Sequence, residues 1–200
     1  SSALARREER DAPHVICVPE VPVDEQRFVG LMEAAYRQFG FAVAVVAENA
    51  RGIDGPLSTD AAPWYTDEFG HPYYEGAGRH LAALMGRRLN VRVRYEKPGT
   101  IQRSMAACVS TADAREAEMA GRGAVRAALG GETDMMVTLV RSGGDVYGCG
   151  TGLAPLSKVA NAVREMPPEY LDPDHYGVTE AFLDYARPLL GTPLPRFGRV

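Results

Sequence analysis

Lysine is nearly absent from this 200-residue chain: of its 22 basic residues, 20 are Arg and only Lys97 and Lys158 are Lys. Genomic base composition accounts for that bias, although arginine also suits planar recognition of phosphate. Cysteine is scarce as well. Cys17, Cys108 and Cys149 are far apart and odd in number, so they make neither a CxxC pair nor a disulfide framework, and a reducing compartment is expected. No apolar run approaches the roughly 20 residues of a membrane span, and no signal-peptide pattern precedes the first apolar segment. A soluble, cytoplasmic chain that engages no membrane is the expectation. An excess of positive charge is also missing. The net charge of −4 argues against a sequence-independent nucleic-acid binder, which needs a basic face to displace counterions. There is no Gly-x-Ser-x-Gly elbow for a hydrolase, and no internal repeat.

What is present is an alternation of short apolar runs with helix-period segments. Ser1 to Arg10 reads as the later turns of a helix stopped by Pro13, and it has no initiating Met, as expected of a piece of something longer. Residues 14–18 (HVICV) are short and β-branched, so they read as a buried strand. Pro22 and Asp24 then open a helix through Phe39, with Phe28, Leu31, Met32 and Ala35 on one face. Residues 41–47 (FAVAVVA) are apolar on both faces, as a covered parallel strand should be. A long loop is expected over 49–76, a helix over 78–89 and an alternating strand over 91–95 (VRVRY). Further helices are expected over 113–129, near 155–164 and over 178–187, with strands over 135–140 and at 146–147. This order implies one α/β domain without an internal boundary, built on a mostly parallel, doubly wound, Rossmann-like sheet.

Ligands of such sheets sit beyond the carboxyl ends of the strands. Glu48 follows the 41–47 strand, Arg94 closes the 91–95 strand, and Arg103 lies on the loop after it. One carboxylate and two guanidiniums at one rim would suit a polyol carrying a phosphate, with Arg forking onto the phosphate and Glu accepting from hydroxyls. On spacing alone, exposed or structural ion pairs are the better reading of the same residues.

Several segments point further. Residues 94–103 (RYEKPGTIQR) resemble a phosphofructokinase segment in which an Arg is followed by a Gly-(His/Tyr)-x-Gln-Arg stretch. Val18-Pro19-Glu20 and Val45-Val46-Ala47-Glu48 resemble two strand ends of that family, the second carrying a sugar-binding Glu. Residues 67–71 (DEFGH), followed by Gly76-Ala77-Gly78, resemble its loop before the next helix, and residues 120–125 (AGRGAV) the helix after the Gln-Arg stretch. Val159-Ala160-Asn161, Pro167, residues 185–189 (YARPL) and residues 194–197 (LPRF) are similar to the tail of the pyrophosphate-dependent branch. VPE and VAE are short enough to coincide by chance, but the order and spacing of all these pieces across 200 residues are not.

The resemblance to the 6-phosphofructokinase family implies the second of two similar α/β domains, the half that holds fructose 6-phosphate. Carried over, Glu48 would bind the sugar and Arg103 the sugar or its phosphate. Arg94 would reach the 6-phosphate, in this family commonly that of a neighbouring subunit, so a homo-oligomer is expected. Thr100 stands where the family has His or Tyr, and offers one short hydroxyl in place of a longer side chain. The family's Gly-Gly-Asp donor loop, Thr-Ile-Asp-Asn-Asp stretch and Met-Gly-Arg turn are absent from these residues. Catalytic and metal-binding residues are therefore expected in the other half, with Mg²⁺ arriving with the donor. The implied reaction is transfer of a phosphoryl group from pyrophosphate to the 1-hydroxyl of fructose 6-phosphate. The alternatives are an ATP-dependent 6-phosphofructokinase, or a sugar-phosphate-binding module without catalysis.

Other motifs carry less. Gly143-Gly144 and Gly148, Gly150 and Gly152 lack the Walker Lys and read as tight turns. Asp172-Pro173-Asp174-His175 has no zinc-spaced partner cluster and reads as a turn. His14 reads as a structural histidine, Met135-Met136 as strand core, and Trp64, Tyr65, Tyr73 and Tyr74 as packing residues of the long loop.

Overall fold

The computed structural model describes residues 2–58, 65–68, 70, 72–73, 76–106, 109–143 and 146–193, the side chains of 72, 73, 102 and 103 excepted. Cys108, Trp64, Tyr74, His71 and residues 194–197 therefore lie outside the described residues. The chain divides into two compact units, 1–98 with 166–183, and 99–165 with 184–200. This corrects the expectation of a chain without an internal boundary. The α/β class is as expected from the alternating pattern.

In the first unit, β1 (Val15–Cys17) and β2 (Ala44–Val46) pair in parallel, Ile16 opposite Val45. Between them runs α1 (Glu25–Phe39). Asp24 starts that helix because its carboxylate accepts from the Gln26 and Arg27 N–H groups at 2.8 and 3.0 Å, which satisfies two of the orphan donors of a helix start. Gly40 ends it at φ +79, a left-handed turn that glycine adopts without a Cβ clash. After two small hairpins, β3/β4 (Arg51–Gly52, Gly55–Pro56) and β5/β6 (Tyr65–Thr66, Pro72–Tyr73), the chain enters α2 (Ala77–Leu89). Val15, Cys17, Phe28, Met32, Leu81 and Met85 form the core, together with Tyr176 from the returning segment. Burial alone pushes the Cys17 thiol up to about 12, so it is a packing residue and not a nucleophile.

Tyr176 joins these pieces. Its carbonyl accepts from Ile16 N–H at 2.6 Å, on the edge of β1 away from β2, and its phenol oxygen accepts from Asp24 N–H at 2.6 Å. It lies in the turn between β9 (Leu171–Asp172) and β10 (Gly177–Val178); the turn expected over 172–175 falls on 173–176, with Asp172 closing β9. Glu20 accepts from Met166 N–H at 3.0 Å and ties down the start of the same return.

The second unit is built differently from the expectation. After α3 (Ile101–Ser104), α4 (Thr111–Leu129) packs against an antiparallel hairpin of β7 (Met135–Ser142) and β8 (Gly148–Pro155). Gly148, Gly150 and Gly152 are strand residues rather than turns. A Cβ on Gly152 would stand 3.0 Å from Thr138 Oγ1, so the missing side chain lets the strands' side chains close. Met136 is exposed and not core. Among the described residues, parallel pairing of strands is confined to β1 and β2, with one isolated parallel bridge between Val23 and Gly52. The expected helix near 155–164 shortens to α5 (Leu156–Val159), α6 spans Glu180–Ala186, and the amino-terminal helix reduces to a 3₁₀ turn over Ser2–Ala5. No helix among the described residues is long and apolar enough to cross a membrane.

His14 packs between Phe39 and Phe41, with ring centroids 5.4 and 5.2 Å away. Its Nδ1 accepts from Val43 N–H at 3.1 Å, which leaves the ring proton on Nε2, a buried atom without a partner. Burial, followed by the charge of Arg6, lowers its pKa from the ordinary 6.5. A second ring proton would point at the Val43 N–H. Because the folded pKa is depressed, the unfolded chain binds the extra proton first, and stability falls as pH drops from 6.5 toward the folded value. Denaturant titrations should show this loss between pH 7 and 5, and His14→Gln should flatten it. An equal pH dependence in both proteins would refute the assignment.

Candidate functional site

The site is built from the carboxyl end of β2. Ala47 N–H still bonds to the Cys17 carbonyl at 2.9 Å, so the ladder is held to its last residue. Glu48, the next residue, leaves the sheet with its side chain 74% exposed. The rim position inferred from the sequence is therefore where the carboxylate stands.

The second strand of the site starts at α2. Asn90 caps that helix in a left-handed conformation, φ 52, and turns the chain into residues 91–98. These run without a ladder partner, which corrects the expected strand over 91–95. The cause is local. The segment is seated at its far end by Tyr95 rather than by the edge of β2. Tyr95 lies on the first turn of α2, where a Cβ on Gly78 would be only 2.9 Å from its Cε2; the glycine is what admits the ring. A groove of about 620 Å³ lies where the ladder would otherwise close. Its walls are Phe28 and Met32 of α1, Val43 and Val46 at β2, Leu81 of α2, and residues 91–96.

Lys97 Nζ donates to Glu48 Oε1 at 2.7 Å. This hydrogen bond, followed by the Glu48 charge, raises the lysine's pKa above its ordinary 10.5. Lys97 is the residue the sequence reading missed as a site residue. The signal for it was there, in the rarity of lysine. Arg94 is exposed, lines the groove, and makes no hydrogen bond or ion pair among the described residues. Thr100 and Arg103 belong to the second unit. Thr100 precedes α3 and its carbonyl accepts from Ser104 Oγ at 3.0 Å, while its hydroxyl makes no capping bond. Arg103 is a residue of α3, and its side chain lies outside the described residues. The first unit thus joins Glu48 to Lys97 and leaves Arg94 unpaired. Chemically this gives one carboxylate oxygen that can accept from hydroxyls, with an ammonium and a free guanidinium for an anion. No group of three or more His, Cys, Asp or Glu side chains that could hold a metal ion occurs among the described residues.

No family model matches the chain. It is, however, similar to the pyrophosphate–fructose 6-phosphate 1-phosphotransferase of Rhodospirillum rubrum, at 34% identity over 201 residues, which cover 98% of this chain and 49% of that protein. The protein of the same name from Halomonas elongata is 31% identical over 198 residues, covering 98% and 47%. An ATP-dependent 6-phosphofructokinase 2 from Streptomyces coelicolor is 34% identical over 161 residues, covering 80% and 44%. The crystal structure of a pyrophosphate-dependent phosphofructokinase from Nitrosospira multiformis aligns with a TM-score of 0.76 at 28% identity, covering 98% of this chain and 45% of that one. The chain spans about half the length of the curated relatives it matches. Sequence and fold agree along 98% of its residues, and the chain belongs to the phosphofructokinase family, in the company of its pyrophosphate-dependent members.

Proposed function

We propose that this chain is the carboxy-terminal, sugar-phosphate-binding half of a pyrophosphate-dependent phosphofructokinase. The observation that carries the reading is the pairing of Glu48 with Lys97 beside an unpaired Arg94, at the carboxyl end of a parallel strand. Glu48 accepts from sugar hydroxyls, and Arg94 forks onto the 6-phosphate. In the full reaction the 1-hydroxyl oxygen of fructose 6-phosphate bonds to a phosphorus of pyrophosphate, that phosphorus parts from its bridging oxygen, and orthophosphate leaves. The hydroxyl proton goes to a base in the other half. That half also supplies the donor loop, so the 200-residue chain is silent alone. Positioning supplies most of the rate in such transfers. Mg²⁺ is assigned to the donor and the missing half. The setting is a cytoplasmic homo-oligomer.

In the complete protein, Arg94→Ala should weaken fructose 6-phosphate binding by roughly 10- to 100-fold, the loss expected for one charge-assisted contact of about 1.5–3 kcal/mol. Steady-state kinetics with each substrate varied in turn would check this. A change in the donor KM with an unchanged sugar-phosphate KM would refute the assignment.

The similarity to an ATP-dependent enzyme over 80% of the chain supports a second reading, with ATP as donor. The tail residues 159–161 and 185–189 favour pyrophosphate. Values of kcat/KM for both donors decide between them. Pyrophosphate is expected to win, and a tenfold or greater preference for ATP would reverse the donor and leave the sugar-phosphate role standing.

A further inference from the structure

The sequence places a lysine at 97 where it uses arginine almost everywhere else. The structure gives that choice a geometric consequence. Lys97 meets only one oxygen of the Glu48 carboxylate, Oε1 at 2.7 Å, and Oε2 makes no hydrogen bond among the described residues. An arginine has a planar fork that matches both oxygens of a carboxylate at once. It would occupy the acceptor that a sugar hydroxyl needs. An ammonium is a compact charge with three donors. It spends one on Oε1 and keeps the others for a second acceptor.

Stability does not explain the pair. Both side chains are well exposed, 61% for Lys97 and 74% for Glu48, and exposed ion pairs contribute about 0–1 kcal/mol. The backbone around it is nonetheless fixed at both ends. Ala47 closes the β2 ladder just before Glu48, and Tyr95 is seated on Gly78 two residues before Lys97. A weak pair held between two fixed points, at the ligand rim of a parallel strand, is placed for a third partner.

Resting on the sugar-phosphate reading above, we propose that Lys97 is a specificity-determining residue of this site. Its ammonium holds Glu48 by one oxygen and gives its remaining N–H donors to the phosphate-bearing sugar.

The test uses the complete protein with Lys97→Met and Lys97→Arg. The KM for fructose 6-phosphate, the KM for pyrophosphate and the direct binding of both are measured. Lys97→Met should raise the sugar-phosphate KM and Kd about tenfold or more, with the pyrophosphate KM within about twofold. Lys97→Arg should restore only part of the loss, because the fork takes Oε2. A sugar-phosphate constant unchanged in Lys97→Met overturns the proposal, as does an equal change in both substrates' constants, which a merely structural role would give. Full recovery in Lys97→Arg overturns the one-oxygen geometry. If the unaltered protein fails to bind fructose 6-phosphate at all, the substrate reading fails first and takes this role with it. Normal binding with an unaffected Lys97→Met sinks the role alone.

Discussion

The first unit depends on the closure of one small parallel ladder. β1 and β2 are three residues each, too short to be stable as an isolated pair. They persist because Phe28 and Leu81 cover them from α1 and α2, and because Tyr176 bonds β1 on the edge away from β2. The same tyrosine accepts from the Asp24 N–H at the start of α1. One residue from the returning segment thus sets the strand, the helix start and, through the ladder, the place where Glu48 leaves the sheet. The site inherits its position from the core.

Glu48 and Lys97 are far apart in sequence and come together because two unrelated backbone constraints end side by side. The β2 ladder finishes at Ala47, and the 91–98 segment is seated at Tyr95 by a glycine. Neither constraint involves the charges themselves. The ion pair is therefore a consequence of the fold rather than a cause of it, in keeping with the small worth of exposed pairs. Its two groups remain free to exchange partners when a ligand arrives. Arg94 beside them has no partner to give up.

Much of this was legible in the sequence. Asp24 before an apolar-periodic run marked the start of α1, and the helix expected over 78–89 is α2 to within a residue. The apolar run 41–47 marked the parallel strand and made Glu48 a rim residue. What failed has particular causes. The Val-Arg-Val-Arg-Tyr alternation has the period of a strand, but pairing is decided by what holds the ends. Here the far end is seated at Tyr95 on Gly78 and not on the β2 edge. Gly148, Gly150 and Gly152 looked like turns because glycine weakens strands. They pair in β8, where Thr138 and Val140 of β7 stand in the space a Gly152 side chain would take and Ser142 stands in that of Gly148. Lys97 escaped notice as a site residue because a single lysine carries no motif. The rarity of lysine set the position apart, and its contact with Glu48 across the fold gives that rarity a meaning.

The central claim is that the carboxyl end of β2 is where a phosphorylated sugar is recognised. The most direct measurement is a crystal structure of the complete protein with fructose 6-phosphate bound. The account predicts sugar hydroxyls within hydrogen-bonding distance of the Glu48 carboxylate, and a ligand oxygen on the Lys97 ammonium. A ligand bound elsewhere, with the Glu48–Lys97 pair intact and untouched, would contradict it.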